Sequence, residues 1–393
     1  MELNFGKGAL VLLLIAAVVA MLTRRVRLPY SVGLVAAGMI LSLMPFSPRI
    51  SLTKELIFTF LLPPLIFEAA FYLRWKELRR DLLMIVVLAT VGVVLSGAIT
   101  AAGMHYFASW QWASALVFGA LIAATDPVSV IATFREAKAH GRLRLLVEAE
   151  SLFNDGTAAV ALSIAAALAL GQPLTLLRAT SAVVMTAGGG LLCGALVGGI
   201  LLFLAGRTED HLVELTFSTV AAYGSFLLAE YFQMSGIFAT LTAGLMLGNL
   251  GTLGKISDKG REAVQLFWEY AAFVANSLVF LLIGMHETSQ NILLVWLPAL
   301  VAVVFVTAGR AAAIYPLCTL FWKSGYRVTV RHQHAMFWGG LRGALALALA
   351  LGLPEGVPHR AEIITVSFAV VAFSIFVQGL TMTPLLRKLG ETQ

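Results

Sequence analysis

Thirteen stretches of this chain are apolar over a length that can cross the ~30 Å hydrocarbon layer of a membrane. Nothing else in the sequence limits its fold so strongly. Inside hydrocarbon a backbone N–H or C=O finds no water, so a spanning segment satisfies these groups within itself, as a helix. The stretches run at about 8–23, 28–44, 55–73, 82–107, 112–135, 147–170, 174–206, 212–231, 235–250, 262–285, 291–322, 331–352 and 360–386. The ninth is short and the eleventh contains Pro298, which leaves those two boundaries loose. Charged residues make up 12% of the 393 and hydrophobic ones 59%, against a charged share of roughly 25% in soluble domains. The expectation is an all-α polytopic membrane protein of thirteen transmembrane helices, one integral domain over 1–393, with no further module at either end. The first stretch lacks a small-residue cleavage site and is followed by further spans, so it reads as a retained helix rather than a signal peptide. Cys193 and Cys318 fall within apolar runs and point to no disulfide framework.

The basic residues give the topology. On one side of the alternating loops stand Arg24, Arg25, Arg27, Arg74, Lys76, Arg79, Arg80, Arg135, Lys138, Arg142, Arg144, Arg207, Lys255, Lys259, Arg261, Lys323, Arg327, Arg331, Arg387 and Lys388. The other side has Lys7, Arg49, Lys54, Arg178 and Arg360. By the positive-inside rule the crowded side is cytoplasmic. That places the amino terminus outside and the carboxyl terminus inside, and it requires an odd number of crossings. The net charge of +6 is therefore a topology signal. No basic cluster is interleaved with base-stacking aromatics, so a nucleic-acid partner is not expected.

A weak internal repeat runs through the chain. Pro29–Leu41 and Ser235–Leu247 keep small and apolar positions in step at a constant offset of 206. Seven helices separate the copies, so the two cross in opposite directions, as inverted-topology repeats do. The scheme gives a first repeat at about 8–170, a linker helix at about 174–206 and a second repeat at about 212–386. Helix 5, with Asp126-Pro127, then corresponds to helix 12, with Gly339-Gly340-Leu341-Arg342-Gly343. Both are interrupted, which is the best sequence pointer to a transporter's midplane site. Chance likeness between Ala- and Gly-rich membrane helices is the competing explanation. Gly190, Gly194 and Gly198 in helix 7 have the spacing of close helix packing and imply no chemistry.

Several ionisable residues fall within the spans. A carboxylate at mid-membrane costs at least ~2.5–3.5 kcal/mol and is rarely present without a function. At ~1.5 Å per residue, Asp126, Asp155, Arg342 and Arg310 lie roughly 10–18 Å from the basic face, with Glu68 nearer to it. Groups of both signs at one level must converge on one polar core. Ser151 and Asp155 are i,i+4 on one helix face, as are Glu150 and Asn154. A hydroxyl one turn from a carboxylate, opposite an unwound backbone at Thr125-Asp126, can supply several oxygens to one dehydrated cation such as sodium. Pro127 removes an amide donor and frees carbonyls near it. Asp155 could instead be held only to pair with a buried arginine, and Asp126 could cap a half-helix. Arg310 and Arg342 stay charged, so each needs a carboxylate or a cluster of carbonyls; Glu150 and Glu68 are the available partners. Glu68 follows Pro63-Pro64, whose kink could aim it at the cavity, either as support or as a direct ligand. His332 and His334, at the cytoplasmic start of helix 12, are either pH-sensing or simply solvated.

Leu62-Pro-Pro-Leu-Ile-Phe-Glu68, Ala124-Thr-Asp-Pro127, Glu150-Ser-Leu-Phe-Asn-Asp155 and Gly339-Gly-Leu-Arg-Gly-Ala344 together resemble the NhaP-type sodium/proton exchangers of the cation:proton antiporter-1 family. The four motifs stand in the family's order over most of the chain. The resemblance implies a six-helix core with crossed broken helices 5 and 12, a homodimer built on the other helices, and an elevator movement. It implies that Asp155 is the ion- and proton-binding carboxylate and Ser151 a cation ligand. Thr125 would contribute its main-chain carbonyl, and Asp126 and Glu68 would lie in the site. Glu150 would pair with Arg342. Asn154 marks the branch, since related electrogenic members tend to carry Asp there. A departure from the eukaryotic members is the absent cytoplasmic tail, so tail-based regulation is not expected.

The reading is then a secondary transporter in the cell membrane that exchanges a monovalent cation, Na+ first, for H+. Its partners are the ion, the proton, the lipid and a second copy of the chain; no cofactor is implied. One carboxylate holds a proton or a cation but not both, and Asn154 cannot titrate, so exchange should be one for one and electroneutral. A K+/H+ antiporter and a cation-coupled organic-anion symporter on the same fold are the alternatives, the second needing a larger cavity. Enzymes fit poorly. The Gly-x-Gly-Asp setting of an intramembrane aspartic protease is absent, His286-Glu287 lacks the second His of a zinc helix, and no phosphate-binding Gly-x-x-x-x-Gly-Lys loop exists. A channel suits inverted repeats with two broken helices less well than alternating access does.

Overall fold

The computed structural model describes residues 2–26, 28–44, 53–126, 134, 141–172, 175–250, 256–287 and 292–391. Every regular element among them is helical. In chain order they are α1 (Glu2–Val26), α2 (Tyr30–Ser42), α3 (Leu56–Tyr72), α4 (Trp75–Ala108), α5 (Trp112–Ile122), α6 (Arg142–Ala169), α7 (Ala179–Ala205), α8 (His211–Tyr231), α9 (Gly236–Leu250), α10 (Asp258–Glu287), α11 (Trp296–Leu320), α12 (Val330–Trp338), α13 (Ala344–Leu351) and α14 (Arg360–Leu389). Eight of these are long and apolar enough to cross a membrane, and α2, α3, α5 and α9 are shorter apolar helices. Pro127 and the remainder of the fifth expected stretch, apart from Phe134, lie outside the described residues, as do Arg27, Arg49, Arg135, Lys138 and Lys255.

Two boundaries differ instructively from the sequence expectation. Helix α4 begins at Trp75, seven residues before the apolar run, because its first turns are amphipathic: Leu78, Met84 and Ile85 are buried while Lys76, Arg79 and Arg80 face outward. Helix α6 likewise begins at Arg142. Charged residues on a helix end look like loop to a hydropathy scan, although the backbone hydrogen bonds simply continue through them. Pro298 sits in the first turn of α11, where its missing N–H has no intrahelical partner to lose.

The helices pack as two groups. In one, α4 lies against α5 and α11, α6 against α5, and α14 against α11 and α13. In the other, α2 packs on α10, and α9 is surrounded by α3, α7 and α8. Contact between the groups is sparser and runs mainly through α3, α6, α9 and α13. Small residues draw the second group together: a methyl on Gly190 or Gly194 of α7 would run into the Ser235 or Ala239 carbonyl leading into and along α9. The small-residue stripe expected of helix 7 is thus a packing surface, as its spacing implies.

The two ends of the bundle differ in charge. At one end the Arg142 guanidinium holds Asp81 through Nε and Nη2 and also donates to the carbonyls of Arg327 (2.7 Å) and Tyr326 (3.0 Å). Asn249 joins the same end, bonding the Trp75 amide and the Leu73 carbonyl. The strongly basic segments around 74–80, 142–144 and 323–331 therefore share one end. At the other, Ser114 donates to the Pro358 carbonyl and Trp110 Nε1 to Glu362.

Candidate functional site

The site forms where two helices stop. Helix α5 ends at Ile122 and the chain runs non-helically through Ala124, Thr125 and Asp126. Helix α12 ends at Trp338, and 339–343 are non-helical before α13 starts at Ala344. The interrupted stretches lie against each other, with the Asp126 N–H donating to the Leu341 carbonyl at 2.7 Å. The approach is close enough to require glycine. A Cβ on Gly343 would collide with the Asp126 carboxylate, and one on Gly340 would meet Arg310.

The end of a helix leaves carbonyls without partners, and Arg342 answers them at the end of α5. Its Nη1 donates to Ala123 O (2.6 Å) and Ala124 O (2.9 Å), a cation at the carboxyl end of α5 where the helix dipole favours positive charge. The Arg342 amide donates to Ser374 Oγ, which in turn donates to Gln378. Ser374 opens a π-helical turn, Ser374–Gly379, that interrupts the regular ladder of α14 beside the break. Sequence reasoning passed over Ser374 and Gln378. Two polar residues at i,i+4 in an apolar span were the signal that could have found them.

The expected pairing of Glu150 with Arg342 is not what forms. Glu150 on α6 makes two parallel bonds to Arg310 on α11, at 2.7 and 2.8 Å, and both side chains are at least 92% buried. Arg310 also donates to the Met336 carbonyl. The sequence puts both arginines at similar distances along their spans, and that alone could not say which faces α6. Arg342 takes the carbonyl cluster instead.

Helix α6 brings the oxygens together. Asn154 accepts from the Thr125 amide (3.1 Å) and donates to Thr125 Oγ1 (2.6 Å) and Glu150 Oε1 (3.0 Å). The i,i+4 relation of Glu150 and Asn154 thus becomes a bond, and Asn154 clamps the unwound strand to α6. The Thr125 and Ser151 hydroxyls are 2.8 Å apart. Asp155, one turn beyond Ser151, is 98% buried, and its Oδ1 accepts no hydrogen bond among the described residues. A buried carboxylate oxygen without a donor is costly, which marks it as a place for a proton or a cation.

Asp155 and Asp126 line one cavity of about 20 Å3, walled by Leu62, Leu65 and Ile66 of α3 and by Leu152, Ala344 and Leu345. The cavity sits on the boundary between the two helix groups. Room for one or two water-sized occupants matches a desolvated ion. Glu68 is half-buried further along α3 and does not line this cavity. His332 and His334 lie elsewhere, bonded to Glu391 and Tyr315.

Fold and site together define a polytopic membrane protein organised around the end of α5, the break between α12 and α13, and a buried carboxylate. The chain belongs to the transmembrane sodium/hydrogen exchanger family, which matches residues 10–388. It is 39% identical to the Na+/H+ antiporter ApNhaP of Aphanothece halophytica over 93% of this chain and 70% of that one. It is 31% identical to the Na+/H+ antiporter NhaH of Halobacillus aidingensis over 97% of each. Its fold is similar to that of the sodium proton antiporter MjNhaP1 of Methanocaldococcus jannaschii at pH 8, with a TM-score of 0.79 at 20% identity over 96% of this chain and 100% of that one.

Proposed function

We propose that this protein exchanges Na+ for H+, one for one and without net charge movement, through alternate occupation of Asp155. The observation that carries the reading is Asp155 Oδ1, buried with no hydrogen-bond donor among the described residues, in a cavity of about 20 Å3 that Asp126 also lines; Ser151, one turn back on α6, bonds the Thr125 hydroxyl. Antiporters named for Na+ and H+ among its relatives support the same chemistry. Asp155 and Ser151 would ligate the cation together with the Thr125 carbonyl; Asp126 would add a second carboxylate to the wall, and Glu68 negative potential on the facing helix. Asn154, fully committed to Thr125 and Glu150 and unable to titrate, leaves one exchangeable charge at its position on α6. Glu150 with Arg310, and Arg342 with its carbonyls, would hold the frame without joining the exchange.

In this reading thirteen helices cross the membrane as two inverted repeats, with the basic end of the bundle in the cytoplasm and residue 1 outside. The sparse boundary between the helix groups supports an elevator movement, in which the group carrying Asp155 slides against the other. A homodimer in the plasma membrane would anchor the group that stays. An organic-anion symporter would need a far larger space than the cavity at Asp155 offers.

The test is transport by the purified protein in liposomes holding a pH-sensitive dye. After a proton gradient is imposed, Na+, K+ and Li+ are added in turn with the voltage clamped by valinomycin where K+ allows. Sodium-driven proton efflux that ignores the clamp is the expected result. Efflux driven by K+ and not by Na+ would replace the ion assignment, and no response to any cation would overturn the exchange reading.

A further inference from the structure

A second cavity, of about 400 Å3, opens on the same boundary between the helix groups, at the end remote from the strongly basic loops. Lys54 and Phe58 enter it from α3 and the turn before it, Glu230 from the end of α8, Leu162 from α6, and Gly352 and Leu353 from the end of α13. It begins one turn beyond Asp155, since Ala159 of the same helix is also in its wall.

Its two charged groups are oddly placed for structural work. Glu230 uses Oε1 to accept the Gly236 amide at the start of α9 (3.1 Å), and its carboxylate makes no other hydrogen bond among the described residues. Lys54 makes no ion pair within 4 Å among them. Its stem lies on Gly352, where a Cβ would meet Cδ and Cε, and its ammonium stands 5.7 Å from the Phe58 ring centre. Both side chains are exposed. A carboxylate with a spare oxygen and an ammonium that makes no direct ion pair among the described residues therefore share one water-accessible vestibule one turn from Asp155. A carboxylate there concentrates cations, and the tethered ammonium opposes it.

We propose that Glu230 is a capture site for the transported monovalent cation at this end of the molecule, with the Lys54 ammonium as its built-in competitor. The inference rests on the cation-exchange reading and deepens it: a weak first site, reached from one face only, feeds Asp155. Lys54 stands on Gly352 of one helix group while itself belonging to the other, so its distance from that contact changes when the groups slide.

The experiment measures the KM for Na+ separately on each membrane face, in right-side-out and inverted vesicles. A unit charge ~7 Å away across water changes the local cation concentration about threefold. Glu230→Gln is expected to raise KM about threefold on one face, leaving the maximal rate and the other face unchanged. Lys54→Gln is expected to lower KM on that same face, and both effects should shrink as choline chloride screens them. Glu362→Gln, which removes a charge at the same end but outside the cavity, should change nothing. Unaltered KM in Glu230→Gln, equal changes on both faces, or shifts of the same sign in both variants would overturn the capture site while sodium-driven flux still upheld the exchange reading. Wild-type vesicles without flux would overturn both.

Discussion

Separating Glu150 from its arginine tests the frame of the site most directly. Arg310 and Glu150 meet through two bonds of 2.7 and 2.8 Å with almost no water contact. At ~4 Å between charge centres and an effective dielectric of ~20, their attraction is about 4 kcal/mol. Arg310→Met therefore strands a buried carboxylate and should destabilise the protein by about 3–5 kcal/mol. Glu150→Gln strands the guanidinium and should cost a similar amount. The double variant removes both charges and should recover much of the loss, giving a coupling of at least about 2 kcal/mol. Arg342 bonds backbone carbonyls rather than Glu150, so the cycle of Arg342→Met with Glu150→Gln should give less than about 1 kcal/mol. The assay is unfolding of each purified variant in mixed micelles of increasing SDS content. A large Arg342–Glu150 coupling with a negligible Arg310–Glu150 one would refute the assignment of partners.

Asp155→Asn should abolish sodium-driven proton flux while leaving the purified protein at least as stable as wild type, because it relieves a buried carboxylate whose Oδ1 has no donor among the described residues. Flux retained in that variant would remove Asp155 from the exchange. Gly343→Ala, which drives a methyl into the Asp126 carboxylate, should cost about 1–3 kcal/mol by overpacking and sharply slow transport; wild-type transport would show that the contact is slack. Asn154→Asp loses the donors to Thr125 and Glu150 and should cost about 1–3 kcal/mol yet remain active, with current under an imposed voltage reporting any change in stoichiometry. Gly194→Val should force α7 away from the Ala239 carbonyl of α9 and lower stability in the same SDS assay, without altering the KM for sodium.

Much of this site was legible in the sequence because its chemistry is local. Ser151 and Asp155, or Glu150 and Asn154, share a helix face by arithmetic, and Asn154 does bond Glu150. The glycines of 339–343 announced an interruption, and the interruption is there. Glu68 shows the limit. A proline pair before it suggested a kink toward the cavity, yet Leu62, Leu65 and Ile66 of the same helix form the wall and Glu68 does not. The rotation of α3 about its axis is set by α9 and α10 packing behind it, which no local pattern records. Glu230 and Lys54 were invisible for a similar reason: each reads as an ordinary loop-end charge until the fold places both in one vestibule.

By itself, then, the sequence determined the membrane as solvent, the helical class, the charge of each loop and which acids and arginines interrupt apolar spans. All of these follow from transfer free energy and helix periodicity, which act over neighbouring residues. Tertiary structure alone decided that Arg310 and not Arg342 neutralises Glu150, across 160 residues of chain. It also decided that Arg342 instead satisfies the carbonyls of Ala123 and Ala124, and that Asp155 keeps an oxygen without a donor among the described residues. A buried charge takes whichever partner the helix crossings bring within bonding distance, and those crossings depend on the packing of every helix at once.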